Sequence, residues 1–387
     1  MENLLRNIVE NGLPFLTSEG SNFLSLTGSF IKNNLLFIKI SLILLIVLIV
    51  FAVIYLFIKS LDIIESHKGL DIYDFFGFKK IKYKEEIDKI DLQIHTIHSD
   101  GLNSPIDILK LASKKGLDVI AITDYDTTSG FKEVKDESEN YGLILISGVE
   151  ISTSYQGYNI NVLGYNIDIE NEHLKGLLDD SAIIRKKHFI NQVPVVNKTL
   201  EEAKKGQVDS DKYKKKELRY FSMSGLISFL VEEKVVKNRE EGRNFIKNVS
   251  PFIPPVTSWD AFQAINQAGG KSFISHPFGP KISLRKITED KNDQEKIIRE
   301  FIKDGLNGLE VYQSAHNEED VEFALSLANK YDLLISAGSD WHGPIKETGD
   351  SIKDYLPNYP DNLGELEVPQ DKIDKILKGL NLSNIID

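Results

Sequence analysis

No cysteine occurs among the 387 residues. That absence excludes disulfides, thiolate zinc sites and cysteine nucleophiles, and it is compatible with an oxidising or a reducing compartment. Any metal must be held by His, Asp, Glu and neutral oxygen donors, which suits manganese, magnesium, iron or zinc. Positive charge is in deficit too: 46 Lys+Arg face 58 Asp+Glu, a net of −12. The molecule as a whole is therefore a poor match for stable duplex nucleic acid. No glycine-rich phosphate turn follows the first strand-like segment, so a dinucleotide-binding open sheet lacks its main signature. One histidine is also missing from an expected place. In DLQIHTIHSD, residues 91–100, Asp91, Gln93 and His95 alternate and so share one face of a strand. A histidine at 93 would complete an H-x-H pair, and a glutamine stands there.

What charge there is lies unevenly. Between Ile183 and Lys247 there are 16 Lys+Arg and 9 Asp+Glu, a net of +7, which leaves −19 for the rest. A basic module in an acidic chain suggests a local anion site, and a solvated helical face is the plainer alternative.

One long apolar run is present. Ile40 to Ile58 is 19 residues without a charge, flanked by Lys39 and Lys59, long enough for one membrane-spanning helix. It begins late and has no small-residue cleavage site behind it, so it reads as an uncleaved anchor. The lysines from Lys59 to Lys84 outnumber Lys32 and Lys39 and place the following body on the cytoplasmic side. The expected layout is a short N-terminal segment (1–34), a transmembrane helix (35–59), a linker (60–89) and a soluble body from residue 90.

In that body short apolar strands alternate with helices, which predicts an α/β fold with a parallel sheet. SPIDILKLASKKG reads as a helix with Ser104 as N-cap, Pro105 at its first position and Gly116 beyond its end. Polar residues gather where strands end: His95, Asp124, Glu150, His276, Glu310 and Asp340. In a closed β/α barrel those ends share one mouth. From 179 to 258 the strand rhythm stops and a basic helical insertion divides the barrel sequence into 90–178 and 259–345. A C-terminal extension, 346–387, follows. Trp259 and Trp341 read as packing residues.

Taken in order, DLQIHTIHSDG, AITDYDTTSG, GVEIST, NVLGY, SHPFG, GLEVY and GSDWHG resemble the polymerase and histidinol phosphatase (PHP) superfamily. The insertion and FIPPVTSWDAFQAINQAGGKSFISHP are most similar to the branch that hydrolyses nucleoside 3′,5′-bisphosphates and trims short RNA from its 5′ end. The resemblance implies a distorted seven-stranded (β/α)7 TIM-like barrel with metals in its mouth. Carried across, one metal site would take Gln93, His95, Glu150 and Asp340. A second would take Glu150, Asn161 and His276, and a third Asp100, Tyr125 and His342. Gln93, Asn161 and Tyr125 stand where the family pattern has histidine. Amide oxygens suit Mn²⁺ or Mg²⁺ better than Zn²⁺, and a tyrosine coordinates well only as phenolate. The expected complement is two metals rather than three, with Mn²⁺ first and Mg²⁺, Fe or Zn²⁺ as alternatives.

The implied activity is hydrolysis of a phosphoester in a nucleotide or short oligonucleotide by a metal-activated water. Glu150 and Asp340 would hold the metals, Asp124 or His342 would protonate the leaving oxygen, and Arg185, Arg219 and Arg243 would clamp a second phosphate. The alternative is a catalytically degenerate module that binds a nucleotide or a protein partner at the membrane.

Overall fold

The computed structural model describes residues 87–345 and 356–382. The apolar run at 40–58, the segments on either side of it and the start of the C-terminal extension lie outside them. No helix among the described residues is long and apolar enough to cross a membrane.

Seven strands form one sheet in chain order: β1 (Ile90–Ile94), β2 (Val119–Ile122), β3 (Ile144–Tyr155), β4 (Tyr158–Tyr165), β5 (Lys271–Ile274), β6 (Gly308–Gln313) and β7 (Leu334–Gly338). Beyond the end of β7, a parallel bridge between Ile94 and Trp341 joins the outer strands and nearly closes a barrel. There His95 N–H donates to the Trp341 carbonyl at 2.8 Å, and Trp341 N–H donates to the Gln93 carbonyl at 3.1 Å. The sheet departs from the expected parallel pattern at one strand: β4 runs antiparallel to both β3 and β5. Its reversal comes from a two-residue turn, Gln156–Gly157, with φ of 51° and 84°. Two positive φ angles in succession give a type I′ turn, whose twist matches that of the flanking strands.

Helices cover the outside of the barrel. In α1 (Pro105–Lys114) the Ser104 hydroxyl accepts from Asp107 N–H and Pro105 opens the helix, as caps of those types require. α2 (Ser129–Val134) follows β2, and α3 (Glu172–Glu202) follows β4. The basic region then folds as α4 (Ser210–Lys214), α5 (Met223–Glu232) and α6 (Arg239–Phe245). It has its own apolar core, built around Phe189, Val193, Leu226 and Phe229. Leu174 and Leu178, at the other end of α3, pack into the barrel core, so α3 belongs to both bodies. The chain returns through α7 (Ser258–Gln267) to β5 and continues with α8 (Lys291–Lys303), α9 (Glu318–Lys330) and α10 (Gln370–Gly379).

Candidate metal and phosphate site

The barrel mouth collects one polar group from almost every strand. His95 is the first residue past β1, and Glu150 lies on β3. Asn161 lies on β4, opposite Ser152. His276 and Asp340 each stand two residues beyond a strand end, β5 and β7. Both have positive φ, 30° and 56°, a region that side-chain-bearing residues enter only when the surroundings hold them there.

Three histidines and three carboxylates converge at this point. His95 Nε2 lies 3.0 Å from a Glu150 oxygen and 3.0 Å from Asp340 Oδ1. His276 Nε2 is 3.5 Å from the other Glu150 oxygen, and His342 Nε2 is 3.2 Å from Asp100 Oδ1. Two sets, His95–Glu150–Asp340 and His95–Asp100–His342, bring their donor atoms within 4.8 Å of one another. The far side of each ring is engaged elsewhere. His276 Nδ1 faces the Ile282 carbonyl at 3.1 Å, His342 Nδ1 the Asp340 carbonyl at 2.7 Å, and His95 Nδ1 the Ser99 hydroxyl at 3.2 Å. A carbonyl only accepts, so Nδ1 carries a proton in His276 and His342, which leaves Nε2 as the atom that would meet a metal. His95 Nε2, Asp100 Oδ1, Glu150 Oε1 and Asp340 Oδ1 are buried and find no hydrogen-bond partner outside the cluster itself. Such atoms are costly unless something satisfies them, and a divalent cation fits this donor set.

The electrostatics agree. Burial works against charging His95, but the carboxylates of Asp340 and Glu150 hold its pKa well above the usual value. Burial would raise Glu150, yet His276 and His95 hold it well below the ordinary range. Asp100 is likewise held down, chiefly by His342 against the effect of burial. Buried carboxylates in this concentration call for positive charge.

The three positions that lack histidine behave differently from one another. Gln93 donates its amide N–H to Glu150 at 2.9 Å and to Ser275 at 2.9 Å, while its oxygen accepts from Gln313 at 3.3 Å. It therefore presents a donor, not an oxygen ligand, to Glu150. Tyr125 is packed against His95, with ring centroids 4.5 Å apart. Burial, reinforced by Glu150 and Asp340, pushes its pKa well above the ordinary phenol value, so the O–H stays protonated. Asn161 is buried and lines the cleft beside His276.

That cleft, about 580 Å³, separates the mouth from the helical insertion. Asp100, Tyr125, His276, Asp340 and His342 line it from the barrel side, and Arg239 and Arg243 from the insertion. Lys281, from the loop after β5, lines it too. Arg243 was expected from the sequence. Arg239 and Lys281 were not, because nothing in the sequence separates them from the other basic residues. Two further expectations need correction. Arg185 reaches the cleft wall but spends its guanidinium on the buried Asp126 (Nε to Oδ2, 3.0 Å) and on the Ser152 hydroxyl, leaving it little capacity to clamp phosphate. Arg219 does not line this cleft; it pairs with Glu217 at 3.1 Å and borders a smaller recess of about 100 Å³ beside Asp100.

Asp124 also differs from the expected proton donor. Its oxygens accept from Thr96 N–H at 2.7 Å, the Thr96 hydroxyl at 2.7 Å and the Ser99 hydroxyl at 2.6 Å. It is buried and holds the loop that carries His95 and Asp100. Trp341 is buried and stacks on Tyr359, as a packing residue should, whereas Trp259 is 52% exposed. His316 is buried and bridges the Val311 carbonyl (2.9 Å) and Phe278 N–H (3.2 Å).

Comparison with known proteins agrees with this geometry. Residues 91–267 match the PHP domain profile. The chain is 28% identical over 267 residues to a 5′-3′ exoribonuclease of Haemophilus influenzae, covering 66% of this chain and 90% of that protein. It is also 28% identical over 263 residues to a 3′,5′-nucleoside bisphosphate phosphatase of Chromobacterium violaceum, covering 66% and 87%. Among solved structures, an amidohydrolase of C. violaceum with bound sulfate superimposes with a TM-score of 0.55 at 25% identity, over 67% of this chain and 89% of that one. Barrel, mouth and profile thus agree in likening residues 91–267 to a PHP domain.

Proposed function

We propose that this protein is a divalent-metal-dependent phosphoesterase acting on nucleotides or short oligonucleotides. The observation that carries the reading is the set of buried donor atoms on His95, Asp100, Glu150 and Asp340, which converge on one another with no hydrogen-bond partner outside the cluster, at the floor of a cleft lined by Arg239, Arg243 and Lys281. His95, Glu150 and Asp340 would hold one metal; Asp100 and His342, or the second Glu150 oxygen with His276 and Asn161, would hold another. The complement is two metals, with Mn²⁺ the best match to mixed imidazole and carboxylate donors. When bound, such a metal lowers the pKa of water and neutralises phosphoryl charge. The basic side chains of the cleft orient a phosphate away from the reacting one. Of the two residues read as proton donors, only His342 lines the cleft, and it would serve as a donor in the arrangement that leaves it unligated; the Tyr125 hydroxyl offers an O–H as the alternative.

The apolar run at 40–58 supports anchorage by one transmembrane helix, with the barrel cytoplasmic. A non-catalytic module that binds a nucleotide or partner protein is favoured by one observation, the Gln93 amide donating to Glu150 where a ligand would sit. Asp340→Asn separates the two readings. It should reduce bound Mn²⁺, measured by elemental mass spectrometry, and lower hydrolysis of a nucleoside bisphosphate by about 100-fold or more. Unchanged nucleotide binding without metal, and no turnover by the wild type, would leave the binding module.

A further inference from the structure

Beneath the cluster runs a second set of acids that point at backbone rather than at the cleft. Glu310, on β6, accepts the N–H of His276 at 2.8 Å. Asp91, on β1, accepts the N–H of Ser339 at 2.9 Å and its hydroxyl at 2.6 Å. Asp124 holds Thr96 in the same way, and Asp126 accepts Ser152 N–H at 2.8 Å. Each takes a backbone N–H from the segment that follows a neighbouring strand, or from the neighbouring strand itself. All four are buried, none lines the cleft, and none belongs to either convergent donor set.

Two of these contacts fall where the backbone most needs restraint. His276 has a φ of 30° and precedes Pro277, a position where the α-type regions are sterically disfavoured. Asp340, with φ of 56°, directly follows Ser339. Left-handed backbone at such residues is strained and persists only where the surroundings hold it. A carboxylate fixed in a strand and hydrogen-bonded to the peptide N–H is a direct means of opposing that strain. His316 adds a second hold on the same turn by accepting Phe278 N–H at 3.2 Å.

We infer that Glu310 is a positioning residue: its oxygen, by holding the His276 N–H, aims the His276 imidazole at the metal, and Asp91 does the same for Asp340 through Ser339. Position of the acceptor, not negative charge, is the operative property. The inference rests on the metal reading above.

Two substitutions separate position from charge. Glu310→Gln keeps an oxygen acceptor at the same reach and removes the charge. Glu310→Asp keeps the charge and withdraws the acceptor by one methylene. Full-length wild type and both variants would be titrated with Mn²⁺, following free Mn²⁺ by electron paramagnetic resonance, and with Co²⁺, following visible absorption as a report of ligand geometry. Thermal melting of the metal-free proteins controls for folding. The expected result is Glu310→Gln within about threefold of wild type, and Glu310→Asp weakened about 10- to 100-fold with an altered Co²⁺ spectrum. Glu310→Asp binding like wild type, or Glu310→Gln weakened as much as Glu310→Asp, overturns the inference while leaving the metal site intact. Wild type that takes up neither ion overturns the metal reading and this inference together.

Discussion

Replacing Arg185 with alanine is expected to destabilise the protein by about 3 kcal/mol. The guanidinium is nearly buried and bonds the fully buried Asp126, with Nε at 3.0 Å. Its carbon also lies 4.9 Å from the centroid of the Phe252 ring. Removing one partner of a buried ion pair costs about 3–5 kcal/mol, because the other is left desolvated and unpaired. Asp126 keeps one compensating bond, from Ser152 N–H at 2.8 Å, which puts the expectation at the lower end of that range. Urea unfolding followed by tryptophan fluorescence measures the loss. A cycle with Asp126→Ala tests its origin: the double variant should cost at least about 1.5 kcal/mol less than the sum of the two singles. The competing role, a free phosphate clamp, makes the opposite prediction. A loss under about 1 kcal/mol, together with a KM raised tenfold or more, would refute the anchoring role.

Other expectations follow from single contacts. A Cβ on Gly338 would sit 2.3 Å from Gln93 Cβ and 2.7 Å from Gln93 N. Gly338→Ala should therefore force β1 and β7 apart at the mouth and cost roughly 1–3 kcal/mol, and a melting temperature equal to wild type would contradict that packing. Gln93→His replaces an amide that donates to Glu150 with an imidazole able to bind metal, so Mn²⁺ affinity by equilibrium dialysis should rise; a fall would show that the Gln93 bond supports the cluster. His316 is held by burial at a pKa of about 4, against about 6.5 in an unfolded chain. Between those values the unfolded state takes up more protons, so this residue's contribution is complete above pH 6.5 and declines as pH falls toward 4. Full loss amounts to about 3 kcal/mol. The stability gap between wild type and His316→Asn should shrink by that amount from pH 7 to pH 4, and a constant gap would refute it.

The strand ends were legible because chemistry concentrates there. His95, Glu150, His276 and Asp340 are polar residues interrupting or closing apolar runs, and those runs proved to be strands around one mouth. The direction of β4 was not legible from YNINVLGYN, whose alternation reads the same either way. The signal lay in the two residues before it, Gln156–Gly157, a pair suited to a tight hairpin turn. Arg185 could not be told from the other cations of the basic region, because its role depends on Asp126, 59 residues earlier in the chain. Asp124 stood at a strand end like the convergent donors, and only its three hydrogen bonds reveal that it faces the chain.

The reversal of β4 has a consequence for what the insertion is. Because β4 runs against its neighbours, it finishes at the end of the barrel away from the mouth, with Tyr165 paired to Lys271, the first residue of β5. Two antiparallel neighbours with adjoining ends need only a tight turn between them. Residues 166–270 are instead spent on an excursion. It starts low with α3, about 46 Å of helix at 1.5 Å per residue, and crosses from the barrel core to the core of the insertion. It comes back past Thr257, which bridges Ser154 near the hairpin tip, and descends through α7. In sheet terms the whole detour is dispensable; the strands it separates already touch. What it supplies is a roof, borne on one continuous helical post, and the space beneath that roof is the cleft.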